Sequence, residues 1–293
     1  MEIAQALVDG IRFGLLIAMA AVGLSLVYGT TRLINFAHGE LVTMGAVVAW
    51  YLEAGHGWWL GLATVVAVVT VGAFGGLLER YLWRPLRARR TGLFQLLIVS
   101  LGLSFVLRHV ILIIFGGSSR SYREYGVQES VHLLGVAVTP RDLALIVISV
   151  LVLTSTGLML ERTPIGQAMR AVADNRDLAE ASGVDVKRVI LSVWILGAGL
   201  AALGGAMLGL SDGVSWDMGF QVLLLVFAGV ILGGLGTAYG AMVGGLVIGI
   251  VTQLSTLVFP AEMKILWALV VLVLVLLAKP EGVLGRVQLK RVG

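Results

Sequence analysis

The sequence predicts an all-α polytopic transmembrane helical bundle with about eight crossings. Residues 218–261 are 44 in a row without a charged side chain, and glycines cluster near the middle of this run. A bilayer core is about 30 Å thick and needs about 20 apolar helical residues to cross it, so this run fits two crossings joined by a tight turn. Only 13% of the 293 residues are charged, whereas soluble domains carry about 25%. We expect a single transmembrane domain over residues 1–293.

Loop charge orients the predicted helices. Loop 83–91 holds four arginines and no acid, and loop 162–188 and the tail after Ala278 also carry several basic residues. Because basic loops stay on the cytoplasmic side, we predict that these two loops and the C-terminus are cytoplasmic and that loops 116–140 and 211–219 lie outside. The remaining uncharged stretches, in chain order, are 13–31, 41–52, 60–78, 91–107, 143–160, 189–210 and 265–278.

The first 53 residues allow two topologies. An interrupted helix near residues 29–40 would make residues 12–53 one crossing, which gives eight crossings with both termini in the cytoplasm. Two crossings here would give nine, with the N-terminus outside. We prefer eight, because residues 28–40 are too polar for lipid and too apolar for an ordinary loop.

The interruption is also the strongest candidate for a functional site. A broken helix leaves backbone groups without intrahelical partners, and such groups cannot face lipid. We therefore expect this segment to border a translocation path, with Asn35, His38 and Glu40 beside it. The alternative is that these polar side chains satisfy the broken backbone or lie at headgroup level. Arg108 and His109, which end another apolar stretch, are interpreted as an anchor at the outer headgroups.

Loop 162–188 carries clear helix signals. Thr163 is suited to cap a helix that begins at Pro164, and a second short helix from about Asn175 to Ser182 would end at Gly183. Two capped helices at the membrane surface predict a docking site for a cytoplasmic partner. The alternative is a solvated linker of mixed charge.

Several chemistries are excluded or disfavoured. The chain has no cysteine, which rules out disulfides and thiolate sites. Its four histidines lack the spacing of a metal site, and no Gly-Lys pair is present to form a phosphate-binding loop. The net charge of +4 belongs to loops and is not a signal for nucleic acid. The glycine pairs Gly205/Gly209, Gly240/Gly244 and Gly245/Gly249 predict close helix packing.

Three segments, YGTTRLINFAHGELVTMGA, RTPIGQAMRAVADNRDLAEASGVDV and GGLGTAYGAMVGGLVIGI, occur in this order and span nearly the whole chain. Together they resemble the LivH-type permease subunits of branched-chain amino acid ABC importers. The resemblance implies one permease domain that is not itself an enzyme and binds no cofactor. Its expected partners are a second permease subunit of the LivM type, two cytoplasmic ATP-binding subunits that use the ATP, and a periplasmic substrate-binding protein.

The resemblance also implies a location and a set of contact residues. The chain would lie in the inner membrane of a bacterial or archaeal cell. Loop 162–188 would be the coupling loop seated in an ATPase groove, although Ala179-Glu180-Ala181-Ser182-Gly183 matches the Glu-Ala-Ala pattern of such loops only loosely. The predicted coupling residues are Thr163, Gly166, Arg170, Ala171, Asn175, Ala179, Glu180 and Gly183.

Two other functions stay open. Related permeases carry urea or short amides, so the family resemblance is less specific for the substrate. A secondary transporter driven by an ion gradient would need intramembrane carboxylates or histidines, and Glu40 with His38 is the only plausible pair.

Overall fold

The structure is a computed structural model that describes residues 2–124, 129–133 and 136–284. It is built from helices, with one small antiparallel ribbon in which β1 (Val131–Leu133) pairs with β2 (Val136–Val138). The helices before the ribbon are α1 (Glu2–Thr31), α2 (His38–Trp50) with a π-helical turn at Tyr51–Gly55, α3 (Leu60–Leu78) with a π-helical turn at Glu79–Trp83, α4 (Arg84–Ala88) and α5 (Leu93–Phe115). After it come α6 (Pro140–Arg162), α7 (Pro164–Asp174), α8 (Arg176–Ala181), α9 (Val186–Asp212), α10 (Met218–Gly233), α11 (Ala238–Ser255), a 3₁₀ turn at Ala261–Met263 and α12 (Lys264–Ala278).

Within the described residues, seven helical stretches are long and apolar enough to cross a membrane, and α10 is a shorter apolar helix of 16 residues. The run without charge forms α10 and α11, which are joined by a turn at residues 234–237 as the sequence predicts. The prediction of an all-α membrane bundle is confirmed.

Glycines let the central helices approach closely. α1 runs antiparallel to α9, and a Cβ on Gly197 of α9 would lie 2.8 Å from the carbonyl oxygen of Gly23 in α1. α1 also runs antiparallel to α11, where a Cβ on Gly245 would lie 2.6 Å from Ala18 Cα. Small residues at such crossings allow close packing without a hydrophobic driving force. The prediction that the Gly245/Gly249 spacing marks close helix packing is therefore confirmed. A Cβ on Gly205 would likewise meet the Val42 backbone, and a Cβ on Gly240 would meet the Gly233 backbone.

The bundle has two chemically distinct ends. We call the end that carries α4, α7, α8 and residues 279–284 the basic end. There Arg84 Nη2 donates to the Lys187 carbonyl at 3.2 Å, and Val283 N–H donates to the Leu232 carbonyl at 2.7 Å. At the opposite end, Glu53 Oε1 accepts from the backbone N–H groups of Arg123 and Glu124. The grouping of loops predicted from charge is thus the grouping seen in the fold.

The N-terminal region differs from the preferred prediction. α1 is a helix of 30 residues, about 45 Å long at 1.5 Å per residue, so it spans a bilayer alone. It starts at the opposite end, where Gln5 Nε2 donates to the Ala137 carbonyl at 3.1 Å, and it finishes at the basic end beside Gly236. α2 then returns to the opposite end at Glu53. Residues 12–53 therefore form two helical segments instead of one interrupted crossing, and α2 is not among the described helices long and apolar enough to cross a membrane.

Charge pairing lets α1 extend beyond the first uncharged stretch. That stretch begins at residue 13, directly after Arg12. In the fold Arg12 forms ion pairs with Asp9, at 3.7 Å, and with Asp142 of α6. Because these partners neutralise one another, α1 continues through them to Glu2.

Candidate translocation site and docking surface

Residues 32–37, which we call the break segment, separate α1 from α2. Arg32 adopts the left-handed conformation, with φ of 57°, and so ends α1. Asn35 is buried, its Oδ1 accepts from Ala37 N–H at 3.2 Å, and its carbonyl accepts from His38 N–H at 3.3 Å. This local side-chain turn starts α2, because a short amide can replace a missing backbone partner. The predicted interruption is confirmed at these residues.

His38 joins the start of α2 to the middle of α1. Its ring is buried, and Nε2 lies 2.9 Å from the Ala20 carbonyl oxygen. A carbonyl only accepts, so Nε2 carries the hydrogen and donates it. Because Ala20 lies well before the end of α1, the break segment leads the chain back into the bundle before α2 begins.

Glu40 lies at the centre of a buried polar cluster. Its Oε1 accepts from Ser104 Oγ at 2.9 Å and from Arg108 Nε and Nη2, each at 3.1 Å. The Arg108 guanidinium also lies over the Phe220 ring, 3.5 Å from its centroid. Glu40 Oε2 is buried without a hydrogen-bond partner. Such a pair is costly inside a membrane, so it is a marker of function.

The headgroup interpretation of Arg108 was wrong. Arg108 is only 8% exposed and belongs to the cluster around Glu40, whereas its neighbour His109 is exposed. The sequence contained a signal for this arrangement. Ser100, Ser104 and Arg108 recur every four residues on an otherwise apolar helix, which places them on one face. We call these three residues the α5 polar ladder.

The surface beside the break segment is partly open. We call it the break face, and it includes Ile34, Phe105 and Phe220, which are 41%, 53% and 42% exposed. The Ile34 carbonyl oxygen lies 3.2 Å from Ser100 Oγ, and the rings of Phe105 and Phe220 both flank the Arg108 guanidinium. Irregular backbone at membrane depth must be covered by protein or line a water-filled cavity.

The three predicted path residues thus lie at one place in the fold, and all three are buried. Asn35 and His38 shape and hold the start of α2, whereas Glu40 reaches the side chains of another helix. Their contribution to a translocation path stays a prediction.

At the basic end, α7 and α8 form the two short helices expected in loop 162–188. Thr163 Oγ1 accepts from Gly166 N–H at 3.1 Å, and Asn175 Oδ1 accepts from Leu178 N–H at 3.0 Å. Both are N-cap contacts. α8 is followed by Gly183, whose φ of +86° suits glycine. The predicted Thr163 cap and the predicted end of the second helix at Gly183 are therefore confirmed, and the Asn175 cap is an additional finding.

The docking pair, as we call α7 and α8, has an inner and an outer side. Gly166, Met169 and Ala179 are buried, and a Cβ on Gly166 would lie 2.5 Å from Leu160 Cα of α6. Leu178 is 64% exposed. The exposed members of the predicted coupling set are Arg170, Ala171, Asn175, Glu180 and Gly183. The pair therefore rests firmly on the bundle and presents a mixed polar and apolar surface outward.

Long apolar helices around a buried, charged interruption define a multi-pass membrane protein of the permease class. The chain belongs to the family described as branched-chain amino acid transport system permease components, whose sequence model matches residues 6–278. No solved structure matches the chain.

Named relatives cover almost the whole chain. It is 30% identical over 301 residues to the high-affinity branched-chain amino acid transport system permease protein LivH of Escherichia coli K12, covering 98% of this chain and 97% of that protein. It is also 30% identical over 303 residues to BraD of Pseudomonas aeruginosa, with the same coverage. A probable LivH of Methanocaldococcus jannaschii is 30% identical over 286 residues, covering 92% of this chain and 89% of that protein.

Proposed function

We propose that this chain is the membrane-spanning permease subunit of an ATP-driven importer of the ABC type, and that it translocates leucine, isoleucine and valine. The observation that carries this proposal is the docking pair, which presents an exposed surface at the basic end of a chain without a Gly-Lys phosphate-binding motif. A permease that contains no such motif needs separate ATP-binding subunits to hydrolyse ATP. The docking pair provides a surface to which these subunits can bind. The names of the relatives support the substrate class.

The basic end faces the cytoplasm in this proposal. Loops 83–91 and 162–188 and residues 279–284 all belong to that end, and basic loops remain on the cytoplasmic side. The two ATP-binding subunits then contact the outer side of the docking pair. Arg170, Ala171, Asn175, Glu180 and Gly183 face them, while Thr163, Gly166 and Ala179 hold the two helices in place.

The opposite end receives the substrate from a periplasmic binding protein. The translocation path runs along the break face, and a second, LivM-type permease covers the other side of that path. This arrangement satisfies the requirement that irregular backbone does not face lipid. The exposed apolar side chains of Ile34, Phe105 and Phe220 suit aliphatic substrates. ATP-driven movement of the docking pair changes which end of the path is open, as in other alternating-access transporters.

The main competing function is transport driven by an ion gradient. It would require a carboxylate that is free to bind a proton or an ion inside the membrane. Glu40, the carboxylate that the sequence offers for this purpose, is engaged by Ser104 and Arg108. This contact favours the ATP-driven proposal.

Reconstitution tests the proposal. The permease pair is placed in liposomes with its ATP-binding subunits inside and a binding protein outside, and uptake of labelled leucine is measured with and without ATP. We expect uptake only with ATP and with all subunits present. Leucine uptake by the isolated chain under an ion gradient alone would overturn the proposal, and ATP-driven uptake of urea in preference to leucine would overturn the substrate class.

A further inference from the structure

α5 is held to the rest of the bundle by an unusual stripe of buried side chains. Only six of its 23 residues are buried, and they recur at intervals of three or four positions along one face. The three in the middle are the α5 polar ladder, and apolar residues lie at both ends of the stripe. In chain order the six are Leu96, Ser100, Ser104, Arg108, Ile111 and Phe115.

Every member of the ladder contacts the break segment or the first turn of α2. Phe36 N–H donates to Ser100 Oγ at 3.3 Å, and Ser104 Oγ donates to Glu40 Oε1 at 2.9 Å. Arg108 adds two hydrogen bonds to the same Glu40 oxygen, and its Nη2 lies 3.3 Å from Ser104 Oγ. The α5 polar ladder therefore connects α5 to the break segment and to the first turn of α2.

The strength of these polar contacts depends on whether water reaches them. Within a membrane, apolar contacts between helices have no hydrophobic advantage, because lipid tails replace them. Close packing, such as the edge-to-face contact of Phe115 with Trp50, holds the end of α5, and the ladder supplies the polar attachment along its middle. Hydrogen bonds and ion pairs are strong in a dry, low-dielectric site and weak when water competes for them. Water that reaches the break face would therefore loosen α5 from the break segment.

We propose that the α5 polar ladder is a releasable latch, closed in the state seen here, and that it must open during each transport cycle. Arg108 is then a positioning residue, which sets the break segment through Glu40. The latch rests on the proposed function, because the water that opens it enters along the translocation path. Glu40 Oε2, which is buried without a partner, is the atom that gains a hydrogen bond when water enters.

A reversible cross-link tests whether the latch opens. The chain has no cysteine, so Ile34→Cys with Ser100→Cys introduces the only two thiols of this subunit. These positions are adjacent, since the Ile34 carbonyl oxygen lies 3.2 Å from Ser100 Oγ. The assembled importer is treated with a short thiol-reactive cross-linker whose link a reductant cleaves. We expect ATP-driven leucine uptake to fall at least about tenfold, the effect of about 1.4 kcal/mol, and to recover on reduction.

The same protein before cross-linking is its own control. Gln5→Cys with Ala137→Cys serves as a matched pair at the opposite end, where Gln5 Nε2 and the Ala137 carbonyl oxygen are 3.1 Å apart. We expect uptake to persist when that pair is cross-linked. Undiminished uptake after the Ile34/Ser100 cross-link would overturn the latch. Absence of ATP-driven leucine uptake by the unmodified importer would instead count against the proposed function.

Charge variants give a second test that does not depend on cysteine. Glu40→Gln, Arg108→Met and the double variant are compared by melting temperature in detergent and by leucine transported per ATP hydrolysed. Each single variant leaves a buried group without its partner, whereas the double variant removes both charges. We expect the double variant to recover the melting temperature while leucine transported per ATP stays about tenfold low, the loss that follows when a charge-assisted bond is removed. Recovery of both quantities together would show a merely structural pair and would overturn the latch.

Discussion

The hydroxyl of Tyr239 in α11 donates a hydrogen bond to the Gly157 carbonyl in α6 at 2.9 Å. Gly157 leaves just enough room for the ring, because a Cβ there would lie 3.1 Å from Tyr239 Cε1. This contact joins the helix that leads into the docking pair to the helix that packs along α1. It therefore lies between the surface proposed to receive ATP-driven movement and the centre of the bundle.

Removing this hydrogen bond should loosen that connection. Tyr239→Phe keeps the ring and loses only the hydroxyl, so we expect about 1 kcal/mol lower stability. We also expect less leucine transported per ATP hydrolysed, measured in liposomes. Tyr81→Phe is a suitable control, because Tyr81 is exposed beside α4. An unchanged transport ratio in Tyr239→Phe would mean that the contact stabilises the fold without transmitting movement.

Loss of the Glu40 carboxylate should damage both stability and transport. Glu40→Ala leaves Arg108 buried without its ion-pair partner, which typically costs about 3–5 kcal/mol. We expect a clear fall in melting temperature, and uptake per folded molecule should fall further. Glu2→Ala, which removes an exposed carboxylate from the first turn of α1, should leave the melting temperature unchanged. Normal uptake kinetics in Glu40→Ala would reduce Glu40 to a purely structural side chain.

Gly183 should matter for coupling beyond its effect on stability. Its φ is +86° and no atom lies within 4 Å of a Cβ built there, so Gly183→Ala introduces backbone strain of about 1–2 kcal/mol and no clash. Gly57 has a φ of +71° and equally open surroundings, and it follows the π-helical turn at the opposite end, which makes Gly57→Ala the control. We expect similar losses of stability in the two variants, whereas only Gly183→Ala should hydrolyse ATP without proportionate transport. Equal coupling in both would remove the C-cap of α8 from the mechanism.

The packing of α1 on α11 should not tolerate a methyl group. In Gly245→Ala the new Cβ would lie 2.6 Å from Ala18 Cα, so the helices must move apart. Overpacking of this kind costs about 1–3 kcal/mol or more. Gly102→Ala is the control, because no atom lies within 4 Å of its Cβ and alanine is the better helix former. We expect a lower melting temperature and loss of monodispersity in the first variant only. Equal stability of the two would contradict the close crossing.

Part of the candidate site could be predicted from the sequence alone. Helix caps act through neighbours three residues away, so Thr163 and Asn175 identify the docking pair without any tertiary information. The interruption was likewise visible, because polar residues and glycines interrupt a long apolar run there. The pairing of Arg108 was not visible in this way. The four-residue spacing of Ser100, Ser104 and Arg108 places them on one face of α5, but their partner Glu40 is 68 residues distant from Arg108 in the chain, and only the fold brings the two together.

The sequence by itself determined the medium of the protein, its helical architecture, its basic end and the position of its interruption. Each of these follows from hydropathy, loop charge or capping, which depend on residues close together in the chain. The tertiary structure decided that residues 2–55 form two helical segments, that the N-terminus lies at the opposite end and that Arg108 holds Glu40. These features depend on charges that cancel between distant segments, as Arg12 does with Asp142, and only folding brings such partners together.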